Sequence, residues 1–297
     1  MRLLITTQAV DRSDPILGFF CRWIEEFAKH CEKVTVICLR EGEHDLPDNV
    51  RVYALGNFHI ARKIIRAVRF YRLLWGLRRD YDAVFVHMNP EYAVLGGWWW
   101  WLAGKKAGLW YTHKNVDFKL RVAEKFVDVI FTASKESFRL PTKKLQIMGH
   151  GIDTDFFCPD AGVARGTHWL SVGRLDKTKR HDAAIRDAGS AGRALRIAGE
   201  GSERENLEAL AREIGARVEF LGGISQERLR DEYRRAALLV HRSATGSLDK
   251  VVLEAAACGL PVDSSDSAIL RLPLSPAYVE AHHSLARLVP RLIAFLS

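Results

Sequence analysis

The chain has 297 residues, 48% hydrophobic and 27% charged, the composition of a globular protein with room for two domains of average size. Its net charge of +8 is uneven: residues 1–150 hold 24 Lys+Arg against 16 Asp+Glu, while 151–297 hold 20 against 20, so one half is expected to face an anionic surface. Five cysteines (Cys21, Cys31, Cys38, Cys158 and Cys258), odd in number and without a CxxC pair, exclude a disulfide frame or zinc site and read as reduced thiols of a cytosolic protein.

In the first half, short apolar runs alternate with helical patterns, as in a parallel sheet wrapped by helices. Strands are predicted at Leu3–Thr7, Val34–Leu39, Val50–Leu55, Ala83–His87, Leu109–His113, Val129–Ala133 and Leu145–Gly149. The start, Met1 to Thr7, reads as a strand rather than a signal peptide, and no apolar run approaches the ~20 residues that span a bilayer. Gly18 falls where a loop leaves the carboxyl end of the first strand, the position at which open α/β sheets bind ligands.

The segment His59–Arg79 has seven Lys and Arg residues and no acid. At helical spacing Ile60, Ile64, Val68, Tyr71 and Trp75 form one face, and Arg62, Arg66, Arg69 and Arg72 another. Two readings compete: a packing helix with a solvated outer face, or a helix facing anionic lipid headgroups. No nucleic-acid motif accompanies the charge, so nucleic acid is not expected as a partner. Next come Gly96-Gly97 and four tryptophans, Trp98–Trp101. One helix cannot turn all four inward, so one or two are expected at a surface, either a membrane interface or partial cover by neighbouring helices.

A linker through Pro159 and Gly166 leads to a second α/β series. Its predicted strands are His168–Val172, Leu195–Ala198, Val218–Leu221, Leu238–His241 and a short one at Pro261. The helices are Lys179–Ala188, Glu203–Ile214, Ser225–Ala236 and Asp249–Cys258, with a final one over Pro276–Leu296. The expected organisation is an α/β chain of two Rossmann-like domains facing a cleft: 1–158, 159–275 with a contracted second domain, and a terminal helix over 276–297.

Three loops of the second half carry chemistry. Trp169-Leu-Ser-Val-Gly173 ends in Arg174 and, just before a helix, Lys179; a guanidinium and an ammonium there are placed to neutralise a diphosphate. Ala198-Gly199-Glu-Gly201 repeats that geometry with glycines that permit close backbone approach. Thr245-Gly-Ser-Leu-Asp-Lys250 is a small polar turn before a helix whose N-terminus favours anions, and Glu254 lies inside that helix among apolar residues. In the first half, Tyr111-Thr-His113 closes a strand, which would turn His113 toward a cleft.

In order and spacing these motifs resemble the family-4 retaining glycosyltransferases (glycosyl transferases group 1) of GT-B fold, over nearly the whole chain. The matching residues are Gly18-Phe-Phe, Tyr111-Thr-His113, Gly149-His-Gly-Ile-Asp153, Val172-Gly173-Arg174-Leu175 with Lys179, Ala198-Gly-Glu-Gly201, Val218-Glu-Phe-Leu-Gly222 and Leu253-Glu254-Ala-Ala-Ala-Cys-Gly-Leu-Pro261. The resemblance implies that Arg174 and Lys179 clamp the diphosphate of a nucleotide-sugar donor, that Glu254 binds the ribose hydroxyls, and that backbone N–H groups near Ser247 and Leu248 hold phosphate and sugar. Gly18, with Gly173, Gly199 and Gly201, would let backbone approach the donor, and His113 would reach the transferred sugar. No cofactor or metal is expected; Asp80-x-Asp82 and Asp153-x-Asp155 read as chance D-x-D sequences.

Two departures stand out. Gly246 occupies the position where the family often has a second Glu, so Asp249 or Lys250 would supply the missing sugar contact. The chain is also short between Val262 and the last helix. The expected activity is a metal-independent, retaining glycosyltransferase acting at the cytosolic face on a lipid-linked saccharide or envelope glycan acceptor. An anionic membrane surface would be met through His59–Arg79 and Trp98–Trp101. The alternatives are a catalytically silent nucleotide-sugar-binding protein and a GT-B-fold sugar-nucleotide epimerase.

Overall fold

A computed structural model describes residues 1–14, 16–56, 63–243 and 245–297, without the side chain of Lys63. The chain divides into two compact units, Met1–Gly151 with Leu285–Ser297, and Ile152–Ser284.

The first unit is built on a seven-stranded parallel sheet of order β3-β2-β1-β4-β5-β6-β7. The strands are β1 (Arg2–Val10), β2 (Lys33–Glu41), β3 (Val50–Ala54), β4 (Ala83–His87), β5 (Lys106–Trp110), β6 (Val129–Thr132) and β7 (Leu145–Ile147). All five residues of β4 are buried, as expected of a central parallel strand covered on both faces. Helix α1 (Phe19–His30) lays Phe20, Trp23, Ile24 and Phe27 on one face of the sheet. On the other face pack α2 (Lys63–Gly76), through Phe70 and Leu74, together with α3 (Pro90–Leu102) and α4 (Phe118–Phe126). Asp117 starts α4 by accepting a hydrogen bond from the Leu120 N–H at 2.8 Å.

The tryptophan run is sorted by the two glycines before it. A Cβ on Gly96 would lie 2.5 Å from the Trp100 ring, and one on Gly97 would lie 2.5 Å from Phe126 of α4. Gly96 thus leaves room for Trp100 to fold back over its own helix into the core, and Gly97 lets α3 and α4 pack closely. Trp99 is half-buried, while Trp98 and Trp101 are exposed, as the four-tryptophan argument requires.

The second unit has a five-stranded parallel sheet, β10-β9-β8-β11-β12. Its strands are β8 (Trp169–Val172), β9 (Leu195–Ala198), β10 (Val218–Gly222), β11 (Leu238–His241) and β12 (Val262–Ser264). The helices α5 (His181–Ser190), α6 (Arg204–Glu213), α7 (Gln226–Arg235), α8 (Lys250–Ala257) and α9 (Pro276–His283) surround it. Both sheets reverse strand order once, between β1 and β4 and between β8 and β11. In open α/β sheets ligands bind at such switch points, beyond the carboxyl ends of the strands.

The chain enters and leaves the second unit side by side. Ile152 bridges Ser284 in parallel, and its N–H donates to the His283 carbonyl at 2.6 Å. Just before that, Gly151 takes a positive φ of 65° and its carbonyl accepts from the Trp23 indole at 3.1 Å; a Cβ there would meet that ring at 2.4 Å. The final helix expected over 276–296 is two helices. Extended backbone at Ser284 separates α9 from α10 (Leu285–Leu296), whose Leu285, Leu288, Val289, Leu292 and Leu296 complete the core of the first unit. Among the described residues no helix is long and apolar enough to cross a membrane.

Candidate functional site

The switch point of the second sheet gathers most of the residues singled out from the sequence. The loop after β8 brings Lys179, and the loop after β11 brings Asp249, the residue that starts α8. Their side chains meet between the two loops, Lys179 Nζ donating to Asp249 Oδ2 at 2.6 Å, and both are mostly buried. The same oxygen accepts from His241 Nε2 at 2.8 Å, while His241 Nδ1 lies 2.9 Å from Ser264 Oγ at the end of β12. The tautomer with its proton on Nε2 satisfies both contacts. Burial alone would raise the Asp249 pKa, but the hydrogen bond from His241 and the charge of Lys179 outweigh it and hold the carboxyl down at about 2. The result is a carboxylate ionised at neutral pH that holds an ammonium at the switch point.

Arg174 stands differently. Its side chain is 71% exposed and pairs only loosely with Asp176, at 3.2 Å, so it is free to move onto an anion. The loops carrying it are locked together by glycine. Gly199 (φ 146°) brings its backbone so close to the β8 loop that a Cβ would sit 1.9 Å from the Gly173 carbonyl oxygen, and Gly201 (φ 158°) similarly abuts the Leu175 carbonyl. Gly173 itself has φ 148° and lies along the Lys179 side chain. Beneath them, His181 bonds Ser171 Oγ at 2.9 Å, and burial lowers its pKa to about 4, so it is neutral near pH 7.

Helix α8 holds Glu254 almost fully buried. The carboxylate accepts from Lys250 Nζ at 2.9 Å, one turn earlier, and from Tyr233 Oη at 3.2 Å. Lys250 therefore contacts Glu254. Ser247 and Leu248 lie in the turn before α8, with Leu248 buried. Gly246 has φ 60°, and its N–H donates to the buried Asp266 Oδ2 at 2.7 Å. A glutamate at this position would carry left-handed strain, which is a physical reason for the departure read from the sequence.

The remaining candidates belong to the first unit. Strand β5 ends at Trp110, so Tyr111-Thr-His113 does not close the strand as expected but begins the loop after it. Tyr111 still makes one ladder bond, to the Phe131 carbonyl, and its hydroxyl donates to the Asn115 carbonyl at 3.1 Å, which turns the chain away. His113 Nδ1 accepts from the Asn115 N–H at 3.0 Å. Gly18 precedes α1 in a tight loop where a Cβ would lie 2.6 Å from both the Arg12 and Asp14 carbonyls, so its small size serves the loop's own packing. Asp80 pairs with Lys33 and Asp82 with Arg2, and among the described residues no cluster of His, Cys, Asp or Glu is arranged to hold a metal.

The basic helix also corrects an expectation. Residues 57–62, including His59, Ile60 and Arg62, lie outside the described residues. Over the remainder the expected packing stripe is turned outward: Ile64 is 78% and Trp75 59% exposed, with Val68 and Tyr71 exposed as well. The helix has a second apolar stripe through Phe70 and Leu74, and that one meets the sheet. The outer stripe joins α3, since Tyr71 Oη donates to the Leu95 carbonyl at 2.9 Å and the Trp75 and Trp99 rings lie 5.5 Å apart. With the exposed Trp98, Trp101 and Leu102 it makes one apolar surface, edged by Arg69, Arg72 and Arg78, the last stacked 4.5 Å over Trp75.

Residues 166–271 match the family model described as glycosyl transferases group 1. The group 1 match covers the β8, β9 and β11 loops and α8, and so includes Arg174, Lys179, Asp249 and Glu254. Among curated proteins, a D-inositol 3-phosphate glycosyltransferase of Mycolicibacterium smegmatis is 33% identical over 151 residues, 45% of this chain and 34% of that protein. One of Rhodococcus erythropolis is 38% identical over 157 residues, 45% of this chain and 36% of that protein. The chain thus spans about a third of the length of the curated relatives it matches. Among solved structures, Anabaena Alr3699/HepE in complex with UDP and glucose has a TM-score of 0.73 at 15% identity, covering 100% of this chain and 99% of that one. WaaG, a glycosyltransferase involved in lipopolysaccharide biosynthesis, has a TM-score of 0.65 at 15% identity, with 99% of each chain covered. The two parallel sheets are those of the GT-B fold, and the resemblance to group 1 transferases read from the motifs is borne out over residues 166–271.

Within the group 1 segment, sequence reasoning passed over His241, Ser264, Asp266 and Tyr233. The first three stand at or just beyond the carboxyl ends of β11 and β12, where a polar residue closing an apolar run is a readable signal. Tyr233, fully buried on α7, had none: its partner lies 21 residues away.

Proposed function

We propose that the chain is a family-4 type, retaining glycosyltransferase, moving a sugar from a nucleotide-diphosphate donor to a lipid-linked saccharide or envelope glycan acceptor. The observation that carries this reading is the charged cluster at the β8–β11 switch point, with Lys179 and Arg174 on the loop after β8 and Asp249 at the start of α8, inside the group 1 segment. The donor diphosphate lies against Arg174 and Lys179, its approach helped by the Ser247 and Leu248 backbone and the glycines of the neighbouring loops. Glu254, held by Lys250 and Tyr233, takes the ribose hydroxyls. In the reaction the bond from the anomeric carbon to the diphosphate breaks, and the acceptor oxygen bonds that carbon on the same face. The acceptor's proton passes to the departing phosphate oxygen. Such a step needs stabilisation of the leaving anion more than a protein nucleophile, and Arg174 and Lys179 supply that charge without a metal. Asp249 orients Lys179 and contacts the sugar where Gly246 cannot.

The acceptor class rests on the apolar, Arg-edged surface of α2 and α3, whose chemistry fits an anionic bilayer at the cytosolic face. Two proteins of similar fold are in keeping with this: the Anabaena protein is in complex with UDP and glucose, and WaaG is involved in lipopolysaccharide biosynthesis. Gly246 and the prior engagement of Lys179 by Asp249 favour a second reading, a silent nucleotide-sugar-binding protein. A panel of nucleotide sugars screened by thermal shift, followed by transfer to lipid-extract acceptors with NMR assignment of the product anomer, separates the two. Transfer with retention supports the transferase; binding without hydrolysis or transfer supports the silent protein.

A further inference from the structure

Helix α2 has an inner side that the donor chemistry leaves unused. Ala67 and Phe70, with Leu39 of β2, Leu55, Tyr92 and Leu95, wall a cavity of about 480 Å³, within the size range of small-molecule sites. Gln8 of β1 and Asn89, just after β4, also line it, so it lies at the β1–β4 switch point of the first sheet. The walls are mainly apolar and the charge is at one end. Glu91 and Lys119 pair with each other there and cancel. Arg66 does not cancel: it is half-buried against the cavity and, among the described residues, makes no hydrogen bond or ion pair. An anion entering the cavity would give this guanidinium, which has no hydrogen-bond or ion-pair partner among the described residues, a charge-assisted contact. The start of α3 adds to it. Asn89 makes no side-chain cap, Pro90 has no N–H to give, and the helix end itself favours negative charge.

We propose that this cavity is the acceptor subsite, and that the acceptor is an amphiphile with a phosphate group beside its apolar body. The phosphate meets Arg66, and the apolar part lies against Leu39, Leu55, Phe70 and Leu95. The assignment to an acceptor rests on the glycosyltransferase reading above; the ligand chemistry rests on the cavity alone. The outer side of the same helix carries the exposed Ile64, Ile65, Val68 and Trp75, so one helix thickness separates the cavity from the surface that fits a bilayer.

The test uses dodecyl phosphate below its micelle concentration as probe, titrated calorimetrically into the full chain, with inorganic phosphate and dodecyl maltoside as parallel arms. Dodecyl phosphate is expected to bind and to weaken at least about tenfold in Arg66→Gln, the loss of a charge-assisted contact. Ala67→Phe, which fills the cavity with a side chain, is expected to weaken it comparably, and circular-dichroism melts check that both variants fold. Inorganic phosphate binding as tightly as dodecyl phosphate makes this a free-phosphate site and overturns the proposal. Equal binding of dodecyl maltoside overturns it too, because the slot then ignores charge, and so does binding that neither substitution changes. An Ile64→Ser/Trp75→Ser variant separates cavity from surface: it is expected to keep dodecyl phosphate binding while losing sedimentation with phosphatidylglycerol vesicles. Loss of both together overturns the cavity as a separate site. The donor reading is decided by a separate nucleotide-sugar titration of the wild-type chain, so failure of one is distinguishable from failure of the other.

Discussion

Replacing Asp249 by asparagine keeps the shape of the side chain and removes the charge on which Lys179 and His241 converge. The carboxyl is held at about 2 against an ordinary value of 3.8, against the opposing effect of burial and by its contacts with His241 and Lys179. That depression corresponds to roughly 2 kcal/mol of native-state stabilisation. Only 16% of the side chain is exposed, so solvent screening takes little from it. For a unit of this size the loss lowers Tm by on the order of 5 °C. The sign follows from the direction of the depression. The contribution is complete above the ordinary carboxylate range and fades as pH falls from about 4 toward 2, where the folded-state group takes its proton. Calorimetric melts of wild type and Asp249→Asn should therefore differ fully at neutral pH and converge in acid. Equal melting at neutral pH, or a gap that widens in acid, would refute the view that Asp249 is an ionised clasp on Lys179.

Three further outcomes follow from the same structure. Tyr233→Phe takes one donor from the buried Glu254 carboxylate, and a loss of about 1–3 kcal/mol in urea unfolding is expected, with weaker nucleoside binding if Glu254 holds the ribose. Gly96→Ala puts a methyl where the Trp100 ring lies, so about 1–3 kcal/mol of destabilisation is expected, with a red shift of tryptophan emission as the ring is displaced. Sedimentation with vesicles should rise with anionic lipid and fall with salt, and Trp75→Ser with Trp101→Ser should reduce it; indifference to lipid charge and salt would leave α2 a solvated face.

Much of the fold was legible because buried parallel strands are short apolar runs. Ala83–His87, Leu195–Ala198 and Leu238–His241 have the limits predicted for them. The motif loops after β8 and β9 were legible for a related reason: glycine, arginine and lysine at a strand's carboxyl end have few other uses. Three features were read less well. Helix α2 has two apolar stripes, and periodicity cannot choose between Val68–Tyr71–Trp75 and Phe70–Leu74; the sheet beneath makes that choice. The break at Ser284 has neither Gly nor Pro, although a serine before an apolar helical run is itself a start signal. The cluster of His241, Asp249 and Ser264 joins neighbouring strands with the start of α8, so its members are separated in sequence, and only the parallel pairing of β11 with β12 brings them together.

The central claim is that Lys179 and Arg174 form the diphosphate end of a nucleotide-sugar site. Isothermal titration of nucleotide sugars into wild type, Lys179→Ala and Arg174→Ala tests it most directly. A donor that binds wild type and loses at least about tenfold in affinity with either substitution is the predicted result. A donor that binds all three proteins equally well would contradict it, as would a wild-type chain that binds no nucleotide sugar.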